Sequence, residues 1–515
     1  MSRVRLSERD VTKELAIVRS LGFESRTVRH GSIPLAHKET FEWAVRTRPD
    51  LNPRTAMSNT DPRGDKPKLL EWSKHGDNAF WVSGKPGSGK STFMKFIADH
   101  PATRSALAHW AHPLRVVVAS HYFWSSGTEM QKSLQGLLKT LLYDIFRNCA
   151  DLIPVTCPSR WAAQKEEGQP PWTLPELRLA LGALSAQTQI PCKFCFFIDG
   201  LDEFDGEHID FCESLTAMMN SPNIKLCVSS RPWNVFADAF GQDEQRKIYI
   251  HELTRADILR YARDRLHQHP RWTLFGSQAA QANLLVESIA DKAHGVFLWV
   301  FIVTRLLREG LTNDDTLSEL RRRLESFPSD LEPFFKQIVE SVPEFYRTKM
   351  AEALRMAVAA VRPLDAIIYS FHDEEESDDC TVDGELTWGL PIFPYGAEAW
   401  NARRERIARR LNGRCRGLLE PNSSGEIDFL HRTVADFLRT RQMSDFLRAN
   451  SASDFSPSFA IFKAYASWIK AAGLGNSRFS LGPDDRDRNT QGLMRGALRT
   501  KLVQAGRQDG DLPAS

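Results

Sequence analysis

The hydrophobic positions of this chain change period once, and the change divides it. From Phe80 to Ser229, short apolar runs alternate with segments of helical spacing. Phe80–Ser83, Arg115–Phe123, Phe194–Ile198 and Ile224–Ser229 read as strands, and their continuous apolar character suits a parallel sheet covered on both faces. Between them Ser91–His100, Gln131–Asn148 and Leu174–Gln187 read as helices. The last is opened by a Thr173-x-x-Glu176 capping box with Pro175 in its first turn. This alternation predicts an α/β fold, a parallel sheet covered by helices.

After Ile250 the strands stop and helical spacing takes over in Thr254–His267, Ala279–Gly310, Ser318–Leu324, Leu331–Val342 and Pro343–Val361. Further on, Ile407–Leu411 and Thr433–Thr440 read as helices, Gly417–Glu420 and Ile427–Leu430 as short strands, and Phe459–Ala471 as one more helix. Ahead of the sheet, helical patterns are broken at Gly22-Phe23 and near Gly31–Pro34, and resume over Ala36–Val45. Arg48–Lys68, polar with Pro and Gly, reads as a linker. The acidic run Asp373–Asp379 reads as a solvated, mobile loop. No solenoid or propeller repeat is present.

A length of 515 residues allows roughly three to four compact units. The net charge of +2 gives no reason to expect nucleic acid or an anionic membrane as partner. Cys192 and Cys195 form a CxxC inside an apolar run, with no second pair at zinc spacing, so buried thiols are expected rather than a metal site. The longest uncharged apolar stretch, Val296–Val303, is far short of the roughly 20 residues that a spanning helix needs. The first residues lack the apolar run of a secretory leader. A soluble, cytoplasmic chain with no membrane span is the expectation.

Chemistry concentrates after the first strand. Gly84-Lys85-Pro86-Gly87-Ser88-Gly89-Lys90-Ser91 matches GxxxxGK[ST], with an apolar strand before it and a helix, beginning Ser91-Thr92, after it. The glycines let successive backbone N–H groups turn inward onto phosphate oxygens, and the helix adds its positive end. Lys90 supplies a point charge for the β- and γ-phosphates, and the Ser91 hydroxyl is a Mg²⁺ ligand. The expected counterpart is a buried strand tip beside it: Phe196-Phe-Ile-Asp199-Gly-Leu-Asp202-Glu203 places Asp199 to hold the metal, and Asp202 or Glu203 to orient or deprotonate water. The fourth strand ends in Ser229-Ser-Arg231-Pro232, where Arg231 is a candidate reader of the γ-phosphate. No [NT]KxD guanine signature occurs, which favours ATP/ADP with Mg²⁺ as the bound nucleotide.

These pieces resemble the NACHT branch of the STAND P-loop NTPases, especially the fungal NOD-like receptor group. The resemblance rests on Phe80–Thr92, on Ile198-Asp-Gly-Leu-Asp-Glu203, on Ser229–Pro232, on the lead-in Ile33–Trp43 and on Gly295-Val-Phe-Leu-Trp299, and covers most of residues 20–440. It implies a helical lead-in (1–45), a nucleotide-binding domain (46–250), a helical lid (251–325), a winged-helix-like domain (326–445) and a helical tail (446–515). It further implies that His431, in Leu430-His-Arg-Thr-Val-Ala-Asp-Phe-Leu438, touches the β-phosphate of ADP, although the family's Met-His-Asp wording is here Leu430-His431-Arg432. The implied function is a signalling switch, closed with ADP and self-associating as a homo-oligomer with ATP, in self/non-self recognition or cell death, with slow hydrolysis as reset. Its protein partners are not specified by the sequence. A turnover ATPase or phosphotransferase, and a nucleotide-stabilised scaffold, are the alternatives.

Overall fold

The computed structural model describes residues 8–46, 68–163, 170–374, 397–422 and 425–471. Five strands, Ala79–Ser83 (β1), Arg115–Tyr122 (β2), Cys192–Asp199 (β3), Ile224–Ser230 (β4) and Lys247–Tyr249 (β5), form an all-parallel sheet in the order β2-β3-β4-β1-β5. This is an α/β P-loop NTPase fold. The edge strand β5 was not anticipated, because three residues are too few to carry a period.

Side chains alternate along each strand between two cores. Trp81, Phe194, Phe196, Ile198 and Val228 face one side, against helices Leu134–Asn148 and Leu174–Ala186. Phe80, Val82, Phe197 and Cys227 face the other, against Phe93, Met94 and Ile97 of helix Lys90–Asp99. Cys192 belongs to the first core and Cys195 to the second, so a three-residue spacing on a strand sends the two thiols to opposite faces. The described cysteines are free and buried.

Strand β4 lies between β1 and β3. The loop after β1 and Asp199 at the tip of β3 are therefore not on adjacent strands, as expected from the sequence, but flank the end of β4 with its Ser229, Ser230 and Arg231.

Several helices differ from their expected extent for identifiable reasons. The segment Ala279–Gly310 is two helices, Ala279–Lys292 and Phe297–Thr312, broken where His294 and Gly295 adopt φ of 46° and 79°. Thr173 caps the Glu176 N–H at 3.4 Å, but the Glu176 carboxylate pairs with Arg160 instead of closing the box. Ala36–Val45 holds only a short turn, Glu42–Ala44, because tertiary contacts override its helical spacing. There Asp257 Oδ2 accepts from Phe41 N at 3.2 Å and Trp43 Nε1 at 2.8 Å, and Trp43 stacks on Phe93 at 5.6 Å.

Beyond the sheet, Leu364–Asp365 (β6), Leu419–Pro421 (β7) and Glu426–Phe429 (β8) form an antiparallel sheet in the order β6-β8-β7. One continuous core runs from Ile258, Val286 and Trp299 through Phe335, Leu354 and Ile368 to Ile427 and Phe437. Asp373 is no solvated residue: it ends helix Ala366–Glu374, where Arg410 holds it at 2.6 Å together with Arg414. Residues 375–379 of the acidic run, the linker before Lys68 and the tail after Ala471 lie outside the described residues. Among the described residues, no helix is long and apolar enough to cross a membrane.

Candidate functional site: a phosphate loop closed by the C-terminal module

The carboxyl ends of the parallel strands open into a cleft of about 1390 Å³. Its walls include the segment before the sheet, the phosphate loop from Pro86 to Thr92, the stretch after β2, the tips of β3 and β4, the start of helix Phe297–Thr312 and the turn after β8.

The loop's shape depends on glycine at two positions. Gly87 has φ +72°, and a Cβ there would come within 2.8 Å of Leu298 Cβ. A Cβ on Gly84 would lie 2.5 Å from Ile250 and 2.6 Å from Ser88 Oγ. Leu298, in the first turn of helix Phe297–Thr312, donates its N–H to Gly87 O at 3.0 Å, so the helices after the sheet seat directly on the loop. Lys90 Nζ donates to Gly84 O at 2.8 Å and Lys85 O at 3.2 Å. Burial lowers the Lys90 ammonium, opposed by Asp202 and Asp199.

Asp199 is buried at the end of β3. Its Oδ1 accepts from Ser229 Oγ at 2.5 Å, and Ser229 Oγ in turn accepts from Gly200 N at 3.0 Å. Burial raises the carboxyl above the usual range, while Ser229, Ser91 and Arg29 pull it back. Its Oδ2 is buried and has no hydrogen-bond partner. A partnerless buried carboxylate oxygen beside the Ser91 hydroxyl fits Mg²⁺, which takes one or two protein oxygens and fills its shell with water and phosphate. Among the described residues, no group of three or more His, Cys, Asp or Glu gathers as a metal site.

Asp202, Glu203 and Arg231 are all engaged. Asp202 Oδ2 lies 3.1 Å from Arg231 Nε and 3.0 Å from Arg432 Nη1, while its Oδ1 accepts from Arg231 N at 3.0 Å. Glu203 meets Arg432 Nη1 at 3.1 Å and accepts from Ser125 N at 2.9 Å. Arg231 Nη2 also reaches Asp436 at 2.7 Å. Two of these groups, Arg432 and Asp436, belong to helix Arg432–Leu438 and were not singled out from the sequence. No local spacing links them to residues 202, 203 or 231; the only hint was an arginine where the resembled family has an acid.

His431 caps that helix. Its Nδ1 accepts from Thr433 N at 3.1 Å, so the neutral ring carries its proton on Nε2. Burial first, then the charges of Arg29, Lys90, Arg231 and Arg432, pushes it down to about 3. It lines the same cleft as Lys85's neighbours Pro86, Gly87, Gly89, Lys90, Ser91 and Thr92. Lys85 is exposed, and Ser88 is buried with no partner for its hydroxyl.

Two family models match parts of the chain: Nephrocystin 3, N-terminal, over residues 64–231, and a domain of unknown function, DUF7791, over residues 341–480. No curated protein matches it. Solved structures similar to it include a Walker-type ATPase of Pyrococcus abyssi, at 13% identity and TM-score 0.30, covering 72% of this chain and 94% of that one. Another is a STAND protein with a tetratricopeptide repeat sensor from Pyrococcus horikoshii, at 12% identity and TM-score 0.34, covering 79% of this chain and 47% of that one. A third is Cdc6p from Pyrobaculum aerophilum, at 12% identity and TM-score 0.27, covering 77% and 99%.

Proposed function

We propose that the chain is an ATP/ADP-governed switch of the STAND kind, closed with ADP and self-associating with ATP. The observation that carries this reading is the reach of one C-terminal turn. His431 lines the nucleotide cleft, Arg432 pairs with Asp202 and Glu203, and Asp436 pairs with Arg231. A single turn thus engages Asp202, Glu203 and Arg231, the proposed water-orienting and γ-phosphate-reading groups of the two strand tips.

In this reading Lys90 leaves the loop carbonyls for the phosphates, and Ser91 and Asp199 hold Mg²⁺, which when bound neutralises β- and γ-phosphate charge. The His431 Nε2–H donates to the β-phosphate of ADP. Arg231 meets a γ-phosphate only by giving up Asp436, and Asp202 or Glu203 orients water only by giving up Arg432. Hydrolysis is therefore slow and serves as reset. Nucleotide moves the balance through its differing affinity for the two forms. The units at 1–45, 46–250, 251–325, 326–445 and 446–515 are the proposed moving parts. By resemblance, the setting is cytoplasmic NACHT-type signalling of the fungal NOD-like receptor group, in self/non-self recognition or cell death.

Light scattering of the full chain with MgATP and with MgADP tests this. The switch requires a larger mass with MgATP. Equal masses with both, or sustained turnover above about one per second, would count against it.

A further inference from the structure

The turn before the sheet is pinned to the nucleotide domain at several points. Ser25 Oγ meets Thr128 Oγ1 at 2.8 Å, Ser25 O accepts from Gln131 Nε2 at 3.1 Å, and Arg26 pairs with Asp144 at 2.9 Å. Lys95, on the helix that follows the phosphate loop, donates to His30 O at 2.8 Å and Ile33 O at 2.9 Å. His30 packs on Tyr122 with ring centroids 5.2 Å apart, and Tyr122 is the β2 register partner of Asp199. The turn is thus anchored at the metal end of the sheet.

Arg29 sits in the middle of this turn and lines the cleft. Its Nε is buried without a hydrogen-bond partner. Among the described residues its guanidinium makes no ion pair; the Trp124 ring lies 5.7 Å from it. The contrast with the other cations is physical. Lys90 is bound to two carbonyls, Arg231 to Asp202 and Asp436, and Arg432 to Asp202 and Glu203. An anion arriving between β3 and the turn after β8 meets Arg231 and Arg432 only if carboxylate partners are given up, and Lys90 only if it leaves its carbonyls. Arg29 has none to give up, and its backbone is already fixed.

We propose that Arg29 binds the terminal phosphate of a triphosphate held at Gly84–Ser91, supplied in cis by the segment ahead of the sheet. This rests on the nucleotide reading above and adds its discriminating contact. In this assignment the contact is made only by the third phosphate, so the charge-assisted fork separates ATP from ADP. The charge of Arg29 also registers at the surrounding groups: it helps hold the Asp199 and Asp428 carboxyls down against burial. A phosphate that neutralises it would relax both that restraint and the pressure on His431.

The test is calorimetric titration of the full chain with MgATP and with MgADP, in wild type, Arg29→Gln, Arg29→Lys and Lys90→Ala. Arg29→Gln is expected to weaken MgATP by about 10- to 100-fold, the range for a hydrogen bond to a charged group, and MgADP by less than about threefold. Arg29→Lys, which keeps the charge and loses the fork, falls between. An equal loss for both nucleotides, as a folding defect would give, or no loss for either, overturns the assignment. Lys90→Ala separates the two levels. If it still binds like wild type, the nucleotide reading itself fails; if it loses binding while Arg29→Gln is silent, only the role of Arg29 fails.

Discussion

Arg432 Nη1 lies 3.0 Å from Asp202 Oδ2, joining the helix after β8 to the tip of β3 across 230 residues of sequence. The Asp202 side chain is only 3% exposed and Arg432 18% exposed, so the pair is shielded enough to hold the two modules together. In the proposed switch this contact occupies a carboxylate that would orient the attacking water.

Arg432→Ala should release that hold. Asp202 and Asp436 keep Arg231 and Glu203 keeps the Ser125 N–H, so the loss is about 1.5–3 kcal/mol, the value of a hydrogen bond to a charged group. Hydrogen exchange in residues 432–438 should accelerate by about 10- to 100-fold. The wild-type exchange rate in the variant would show that the latch carries no closing energy.

The pH dependence has a definite sign. Burial lowers His431 and His121 to about 3 and His251 to about 4, all below the ordinary value of 6.5. Between those values and 6.5 the unfolded chain binds more protons than the folded one, so stability rises with pH. The contribution is fully present above pH 6.5 and is lost as pH falls toward 4. Thermal unfolding midpoints should drop over that window, and His431→Gln should flatten the drop. A variant with the wild-type slope would remove His431 from this account.

The apolar pattern made the parallel sheet legible, because strands buried on both faces advertise themselves as continuous runs. The phosphate loop and Asp199 were legible because their spacing is local. What sequence alone did not yield was the partnership of distant charges: Arg432 with Asp202, Asp436 with Arg231, and the isolation of Arg29. Each depends on where the C-terminal turn and the leading turn meet the sheet. The break at His294-Gly295 was likewise hidden inside a run of sound helical spacing, since its cause is tertiary: helix Phe297–Thr312 must start on Gly87 O.

Gly295→Ala tests that cause. The residue has φ +79°, and an added Cβ would fall 1.8 Å from His251 O. Strain in the left-handed region together with this backbone clash should cost at least about 2 kcal/mol. Urea unfolding should show a lower midpoint at unchanged slope. A midpoint equal to wild type would mean that the junction relaxes freely.

Asp199→Asn removes the charge facing the metal position while keeping an acceptor for Ser229. MgATP affinity should fall to that of ATP without Mg²⁺, with the circular dichroism spectrum unchanged. Mg²⁺ dependence equal to wild type would place the metal elsewhere.

The most direct measurement is the identity of the nucleotide that stays with the purified full chain, read by mass spectrometry after acid release. Wild type should carry ADP at close to one per chain, and Lys90→Ala should carry none. A wild-type chain that retains no nucleotide and takes up neither MgADP nor MgATP, or a Lys90→Ala chain that retains as much as wild type, would contradict the switch.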